Sequence, residues 1–425
     1  MTGDGRRILV AQGLRAFGYG FASVLLGVTL AARGWSATRV GLLLTAILAG
    51  TALLSLVVGR YAERVGRRRL YATLFVGLAV SGLAFGLTAN VVVLVVVALT
   101  GTLSTEVVES GPFTSLEQAM LPETVAVERR TRVFGTYNAV ATIAGSFGAL
   151  AAGGPELLRD AGFGVPGDQR FFLALVPVGL LGAVVTASLS PHVEAARTAR
   201  RRAAPLERSR PVVLRLAGLF ALDSFGGGFA VQSFLVYFLS RKFGLATDEL
   251  GVVFFAVGFL QAGSFLAATR LAERLGLLNT MVFTHLPSNL LLAGVAVAPN
   301  AATAIGLLLA RFALSQMDVP TRQAYVITLV DPDERVAASA YTATARYAVR
   351  PIAPVLGGAL QQVALGLPLL VAGGLKTAYD LALWSWFRRV PLPSRPTPEE
   401  VSSDPVPADR ASPRRPARPV PVMDR

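Results

Sequence analysis

The chain has 425 residues, of which 53% are hydrophobic and 16% are charged, and its formal net charge is +14. Soluble domains contain about 25% charged residues, so the composition excludes an ordinary soluble protein and indicates a membrane protein. The chain has no cysteine and only two histidines, which excludes disulfides, thiol catalysis and a metal site built from cysteines or several histidines.

The apolar residues form runs that are long enough to cross a bilayer. Residues 40–59 and 250–269 contain no charged residue, and about 20 such residues span the hydrocarbon core. Residues 70–105 and 275–310 contain no Asp, Glu, Lys or Arg, and each of these longer runs predicts two spans joined by a tight turn. We therefore predict an all-α membrane protein with about twelve transmembrane helices. Their predicted ranges are 8–32, 38–59, 69–89, 91–118, 131–154, 170–190, 212–240, 247–270, 278–298, 301–326, 335–361 and 364–388.

Three short phrases occur twice and in the same order. "FGYGFA" from Phe17 returns as "FGGGFA" from Phe225, and "RYAERVG" from Arg60 returns as "RLAERLG" from Arg270. "SLEQA" likewise returns as "PTRQA" at residues 320–324. The copies lie between 205 and 210 residues apart, which predicts two pseudo-symmetric six-helix bundles in tandem. Each "AER" phrase is predicted to be the turn between the second and third helix of its bundle.

The bundles and their flanking segments give four predicted regions. Residues 1–190 and 212–390 are the two bundles, and residues 191–211 form a basic linker between them. Residues 391–425 are rich in Pro and Arg and almost without apolar clusters, which predicts a disordered tail.

Arginine is concentrated on one side of the predicted helices. An even number of spans puts both termini on that side, together with the arginine clusters at residues 60–69, 129–132 and 197–210. The positive-inside rule predicts that this side is cytoplasmic and that the chain crosses the cytoplasmic (inner) membrane many times. Topology therefore explains the net charge, and we expect no nucleic-acid partner.

The phrase after the second predicted helix has the pattern G-x-x-x-(D/E)-R-x-G-R-(R/K). Its members are Gly59, Glu63, Arg64, Gly66, Arg67 and Arg68. The second copy keeps Glu273, Arg274 and Gly276 but lacks the leading glycine and the trailing basic pair. With twelve helices in two halves, the chain from about residue 6 to 390 resembles the major facilitator superfamily of secondary transporters.

The resemblance implies that this phrase is a conformational latch. Its acidic residue would sit near the start of helix eleven, and its basic residues would pin neighbouring helices while the cytoplasmic side is closed. A carboxylate at a helix N-terminus gains about 0.3–1 kcal/mol from the helix dipole. The alternative is an arginine cluster that only sets the topology.

Ionisable residues inside spans cost about 2.5–3.5 kcal/mol each and usually mark pathways. Eight of them fall in predicted helices 1, 4, 7 and 10, which the resemblance implies line the central cavity. These are Arg15, Glu106, Glu109, Glu117, Asp223, Arg311, Asp318 and Arg322. Helix eleven adds Arg346 and Arg350. The proton-site candidates are Glu106 and Glu109, on one face of helix four, and Asp223 and Asp318; static ion pairs are the alternative.

Three pairs of aligned positions carry opposite charges. Arg15 aligns with Asp223, Glu106 with Arg311, and Glu117 with Arg322. Opposite signs near a two-fold axis predict attraction between the halves. We therefore predict that Glu117 and Arg322 close a cytoplasmic gate; the alternative is that each snorkels to the membrane interface.

In helix twelve, Lys376 and Asp380 are four residues apart, which predicts a structural ion pair within that helix.

These patterns predict a secondary active transporter that works by alternating access around a midplane site. Proton-coupled efflux of amphipathic compounds predicts a weakly polar aromatic pocket, with candidates Phe17, Tyr19, Phe21, Phe113, Phe225, Phe229 and Tyr237. Proton-coupled transport of a small organic anion predicts instead an unpaired arginine in the cavity, from the set Arg15, Arg311, Arg346 and Arg350. A substrate sensor that does not transport is the third alternative.

Nucleotide-driven transport is not expected, because the chain lacks a G-x-x-x-x-G-K-(S/T) loop. An enzyme is not expected either, because a membrane enzyme needs a nucleophile–base or metal set, and the chain has no cysteine and a single histidine, His285, within a predicted span. We expect no cofactor, and we expect a monomer whose partners are the bilayer, a small-molecule substrate and protons.

Overall fold

A computed structural model of the chain describes residues 2–107, 111–125, 130–194 and 206–390, and every regular element in these ranges is helical. The first half contains α1 (Gly3–Ala32), α2 (Ala37–Val65), α3 (Arg67–Leu87), α4 (Val91–Leu99), α5 (Pro112–Met120), α6 (Arg130–Ala151), α7 (Gly154–Asp160) and α8 (Leu175–Ala187). The second half contains α9 (Arg210–Gly228), α10 (Gln232–Phe243), α11 (Thr247–Leu275), α12 (Leu277–Val297), α13 (Ala301–Ser315), α14 (Asp318–Leu329), α15 (Arg335–Val349), α16 (Ile352–Val363) and α17 (Leu367–Phe387). Short 3-10 segments lie at Leu121–Thr124, Asp168–Ala174, Pro191–Val193 and Pro332–Glu334.

The all-α prediction is confirmed, and eight helical segments of the described chain are long and apolar enough to cross a membrane. Four predicted spans are each divided into two helices: α4 and α5, α9 and α10, α13 and α14, and α15 and α16. The last division follows from Pro351, which cannot continue the hydrogen-bond ladder of α15. The predicted tail and residues 195–205 of the predicted linker lie outside the described residues.

The prediction of a turn at each "AER" phrase is wrong in extent. The helix before each phrase continues through it, and only one residue separates that helix from the next one. The separating residues are Gly66, with φ of +99°, and Gly276, with φ of +82°. Glycine adopts this left-handed region without a steric penalty, so a single residue turns the chain in each half.

The two halves pack closely at the helix ends that lie away from the chain termini, and small residues permit the approach. An ideal Cβ on Gly358 of α16 would lie 2.3 Å from the Ala37 carbonyl oxygen of α2. One on Gly258 of α11 would lie 1.8 Å from Ser146 Oγ of α6. A larger residue at Gly358 therefore requires the backbones of the two halves to separate, and one at Gly258 requires the Ser146 side chain to move.

Hydrogen bonds reinforce the same contact. The Val355 amide donates to Thr45 Oγ1 at 3.0 Å, and the Ser233 hydroxyl donates to the Ser23 carbonyl at 2.8 Å. Gln362 of α16 donates to Thr38 of α2. The structure is thus closed between the halves on the side away from the termini.

On the side of the termini, Glu334 ties the segment before α15 to the start of α9. Its carboxylate accepts the backbone N–H groups of Glu207, Arg208 and Ser209 at 2.7, 2.9 and 2.8 Å. These bonds, with that of Glu207 the largest, lower the pKa of Glu334 from 4.5 to about 2. The carboxylate therefore caps the segment of residues 207–209 that leads into α9, and its negative charge lies near the N-terminus of that helix.

Glu334→Gln is expected to lower the unfolding temperature in detergent at pH 7. A lowered pKa in the folded state means that the stabilisation is present above the ordinary pKa and disappears as the pH falls. The difference from the unchanged protein should therefore shrink between pH 4.5 and the folded pKa of about 2. Asp333→Asn, at the exposed neighbouring residue, is the control; an equal and pH-independent effect of both changes would contradict the capping role.

The absence of native cysteine allows a direct test of the closed side. Thr38→Cys with Gln362→Cys should cross-link with a short bismaleimide within one chain and arrest transport, because the two side chains touch across the halves. Thr38→Cys with Val363→Cys is the matched control, since Val363 is 79% exposed. Equal cross-linking of both pairs, measured by mass spectrometry, would show that this side is not closed as described.

Candidate functional site

A cavity of about 180 Å³ lies between the two halves. Its charged lining residues among those described are Glu106, Asp223, His285, Arg311, Asp318, Arg322, Arg346, Arg350 and Lys376. Its walls come mainly from helices of the second half, with a smaller contribution from residues 105–107 and α6.

Asp223 of α9 lies at the centre of a cluster of ionisable side chains in the second half. Its carboxylate makes a close ion pair with Lys376 of α17. Arg322 Nη1 lies 3.6 Å from Asp223 Oδ2, and His285 Nε2 lies 3.7 Å from Oδ1. Three helices thus bring cationic or protonatable groups to one carboxylate that is 3% exposed.

Two further carboxylates complete this cluster. Asp318 accepts a hydrogen bond from Arg322 Nη1 at 2.7 Å within α14. Asp380 lies 2.9 Å from His285 Nδ1 and accepts the Asn289 amide at 2.8 Å. The predicted pair between Lys376 and Asp380 is wrong, because each has its partner on another helix: α9 for Lys376 and α12 for Asp380.

Arg311 of α13 differs from the other cavity arginines. It is 7% exposed, and its guanidinium carbon lies 4.6 Å from the Phe312 ring centroid. It forms no ion pair with any described carboxylate, and its Nε has no hydrogen-bond partner. The hydroxyls of Ser224 and Ser315, also on the cavity wall, are buried and without a partner among the described residues.

Glu106 is not on a helix, contrary to the prediction. Helix α4 ends at Leu99, and residues 100–107 are irregular. Gly101 has φ of +72°, and an ideal Cβ there would lie 2.2 Å from the Gly50 carbonyl oxygen. Glu106 therefore reaches across to the other half and forms an ion pair with Arg350. Glu109, its predicted neighbour on a helix face, lies outside the described residues.

Arg15 does not line the cavity, which corrects the prediction. Its Nη2 and Nε lie 2.9 and 3.1 Å from the carboxylate of Glu117, and both side chains are at most 2% exposed. Tyr71 and Tyr137 donate their hydroxyls to the same carboxylate. The pair is enclosed within the first half because its four groups satisfy one another.

The predicted gate contact between Glu117 and Arg322 is not formed in this structure. Glu117 is bound to Arg15, and Arg322 is bound to Asp318 and lies near Asp223. At two of the three aligned pairs, the charges therefore attract within each half and not between halves. Arg15–Glu117 in the first half corresponds to Asp223–Arg322 in the second, with the two signs exchanged.

The latch phrase lies outside the cavity and holds segments of the first half together. Arg67 Nη1 lies 3.1 Å from Glu123 and its Nη2 lies 3.9 Å from Glu63. The Glu194 carboxylate accepts the backbone N–H groups of Arg67 and Arg68 at 2.7 and 3.1 Å.

The other latch positions are open to the surroundings. An ideal Cβ on Gly59 would meet nothing within 4 Å, and the Arg64 guanidinium carbon lies 5.9 Å from the Tyr61 ring centroid. Glu273 and Arg274 in the second copy are exposed and form no ion pair with a described residue.

The aromatic pocket candidates are not on the cavity wall. Tyr19 and Phe113 instead pack around Arg15, whose guanidinium carbon lies 5.4 and 5.8 Å from their ring centroids. The aromatic residues of the cavity are Phe254 and Phe312.

Sequence reasoning missed His285 and Asp380 as site residues and treated Lys376 as structural. A usable signal existed, because His285 and Asn289 are polar residues four apart in an otherwise apolar span. The predicted cavity residues lie in helices 1, 4, 7, 10 and 11, whereas His285 lies in the ninth predicted span and Asp380 in the twelfth.

Comparison with known proteins gives a consistent result. The family described as Major Facilitator Superfamily matches residues 8–354. An uncharacterized membrane protein of Saccharomyces cerevisiae, YJR124C, is 26% identical, with 88% of this chain and 92% of the relative covered.

Several solved structures are similar in fold. The nucleoside transporter NupG has a TM-score of 0.70 at 12% identity, over 91% of this chain and 100% of its own. A bacterial homologue of the human lysosomal transporter Spinster, inward-facing and occupied, has a TM-score of 0.69 at 16% identity, over 93% and 98%. A D-xylose-proton symporter has a TM-score of 0.66 at 13% identity, over 89% and 97%.

Glu117→Gln is expected to destabilise the protein by about 3–5 kcal/mol, because it leaves the buried guanidinium of Arg15 uncompensated. The measurement is thermal unfolding in detergent, with Glu123→Gln as the control because Glu123 pairs with Arg67 at a 37% exposed position. The double change Arg15→Met and Glu117→Met should recover part of the loss. Equal stability of the two single variants would contradict the role of the enclosed pair.

Proposed function

This chain belongs to the Major Facilitator Superfamily, and on that basis we propose that it is a proton-coupled transporter of a small organic anion. Membership makes it a multi-pass membrane transporter that works by alternating access, and not an enzyme. The substrate class and the coupling ion are the parts that we propose.

The observation that supports an anionic substrate is the environment of Arg311. A buried guanidinium without a carboxylate partner is costly, and a bound anion would remove that cost. The charge of the cavity wall supports the same proposal. Its described residues include five basic side chains, counting Arg and Lys, against three acidic ones. Ser224 and Ser315 supply unpartnered hydroxyls that suit the oxygens of a carboxylate or phosphate.

Efflux of amphipathic compounds has less support from this site. The aromatic residues expected for such a pocket lie elsewhere, and the cavity wall carries many charged side chains. A sensor without transport differs from a transporter in one measurable property, since it binds substrate and gives no flux across a membrane.

The named neighbours transport different substrates, so the substrate of this chain has to be argued from its own side chains. One neighbour is by its title a D-xylose-proton symporter, which supports proton coupling as a property compatible with this fold. The proton-site candidates Asp223 and Asp318 are buried at the cavity, and Glu106 bridges the halves beside it.

We also propose the orientation and the conformational roles. Both termini lie in the cytoplasm, and the chain works as a monomer in the cytoplasmic membrane. The closed side is then the outer one, and the latch at Gly59–Arg68 is released, which the open space around Gly59 supports. Pairing of Glu117 with Arg322 as a gate would require both to leave their present partners.

Arg311→Gln is expected to lower anion transport more than tenfold, because truncating one partner of a buried charge pair costs about 2–5 kcal/mol. The assay is counterflow in proteoliposomes, with lactate, gluconate, benzenesulfonate, succinate and neutral glycerol as the substrate panel under an imposed pH gradient. Arg311→Lys should retain more activity than Arg311→Gln, since it keeps the charge.

Arg215→Gln is the control, because Arg215 is exposed on α9. Saturable flux of glycerol alone, or anion flux that is unchanged in Arg311→Gln, would contradict the proposal. Binding of an anion without flux would favour the sensor alternative.

A further inference from the structure

The buried cluster around Asp223 has an imbalance of charge that depends on one proton. Its six ionisable members are all at most 7% exposed: Asp223, Asp318, Asp380, Arg322, Lys376 and His285. The three carboxylates carry three negative charges, and the Arg and Lys side chains carry two positive ones. With these five groups ionised, the cluster is neutral when His285 holds a proton, and a net buried charge is costly.

The hydrogen-bond geometry of His285 agrees with this count. Its Nδ1 lies 2.9 Å from Asp380, and its Nε2 lies 3.7 Å from Asp223. A neutral imidazole with its N–H at Nδ1 donates to Asp380, and protonation adds an N–H at Nε2. That proton would face Asp223, which lies at ion-pair distance from Nε2 and also lines the cavity.

All elements packed around His285 contribute to its surroundings. The facing titratable and charged groups are Asp223 of α9, Asp318 and Arg322 of α14, and Lys376, Tyr379 and Asp380 of α17, with Asn289 of α12 as a neutral donor. Arg311 of α13 is beyond ion-pair distance but within electrostatic reach of Asp223.

The first half provides an internal comparison. Under the repeat offsets, Phe75 aligns with His285 and Phe113 with Asp318. These two phenyl rings pack edge to face at 5.0 Å beside the Arg15–Glu117 pair. Apolar rings thus occupy the positions where the second half has groups that can bind a proton. The same ion pair is enclosed in one half and connected to the cavity in the other.

We infer that His285 is the coupling proton site and that one proton crosses with each monovalent anion, as an electroneutral symport. This inference rests on the proposed function. The loaded site has a neutral cluster and an anion on Arg311. The empty site has one net negative charge on the cluster. The positive charge of Arg311, which is within electrostatic reach of Asp223, balances it. A site with only the proton or only the anion has an uncompensated charge. The carrier therefore reorients only when it holds both the proton and the anion, or neither.

No covalent step is involved in the cycle. The proton leaves Nε2 of His285 for water in the cavity, and the imidazole keeps its Nδ1–H bond to Asp380. Asp223 retains Lys376 and Arg322 as partners. The anion leaves Arg311, and rebinding on the other side follows the reverse order.

The test uses the full chain in proteoliposomes with radiolabelled lactate, gluconate and benzenesulfonate, the last of which stays ionised and does not cross as a neutral acid. Uptake driven by a pH gradient should be insensitive to a valinomycin-clamped potential. His285→Gln should lower that uptake more than tenfold. His285→Gln with Asp380→Asn restores neutrality of the cluster, so exchange of anion for anion should return and be independent of pH. Net uptake should not return, because the anion-free site then carries the uncompensated charge of Arg311.

The outcomes separate the two proposals. Absence of saturable flux for all three anions overturns the proposed function. Flux that depends on Arg311 but keeps its pH drive in His285→Gln, or that carries net current in the unchanged protein, overturns only the inference about His285. If the double variant still binds lactate but does not recover exchange of anions, the inference about His285 is also overturned.

The protonation state of His285 can also be measured directly, without transport and without the cluster variants, which can fold poorly. The chain has two histidines, and His192 is exposed, so the His192→Gln protein labelled with nitrogen-15 histidine reports His285 alone. Lactate should increase the protonated fraction of His285 at a fixed pH, since the two sites are linked reciprocally. Arg311→Gln should abolish the increase. A protonated fraction that lactate leaves unchanged overturns the coupling.

Discussion

The compensation of buried charge around Asp223 is the constraint on which the rest of this structure depends. Ionised groups in the interior of a membrane protein are costly unless they are paired, and α9, α12, α14 and α17 each contribute a partner at this point. The pairing holds these helices at a fixed depth and rotation. It also leaves Arg311 on the cavity wall without an ion-pair partner among the described carboxylates.

The two halves use the same repeat in different ways. In the first half the repeated pair, Arg15–Glu117, is closed off by tyrosine hydroxyls and phenyl rings. In the second half the pair has exchanged signs and gained His285 and Asp318, which line the cavity, and Asp380, which holds His285. The enclosed pair of the first half thus has a structural role, whereas the corresponding pair of the second half belongs to the cavity wall.

Alternating access also requires the two halves to pack closely where the structure is closed. On the side away from the termini, glycines allow α2 and α16, and α6 and α11, to approach within contact of backbone or small side chains. Glu106–Arg350 joins the halves beside the cavity. On the side of the termini, Glu194 and Glu334 each accept backbone N–H groups at a helix start within their own half. Such intra-half contacts let each bundle move as a unit.

The sequence by itself determined the membrane class, the approximate spans, the tandem repeat and the positions of the costly charges, because hydrophobic length and repeated phrases are local properties of the chain. Only the tertiary structure decided which charges pair. Arg15 finds Glu117 across 102 residues and Lys376 finds Asp223 across 153, whereas the neighbouring Lys376 and Asp380 do not pair. Partner choice depends on the rotation and depth of each helix, which an apolar run does not specify. It also depends on the irregular chain at residues 100–107, which brings Glu106 to the other half.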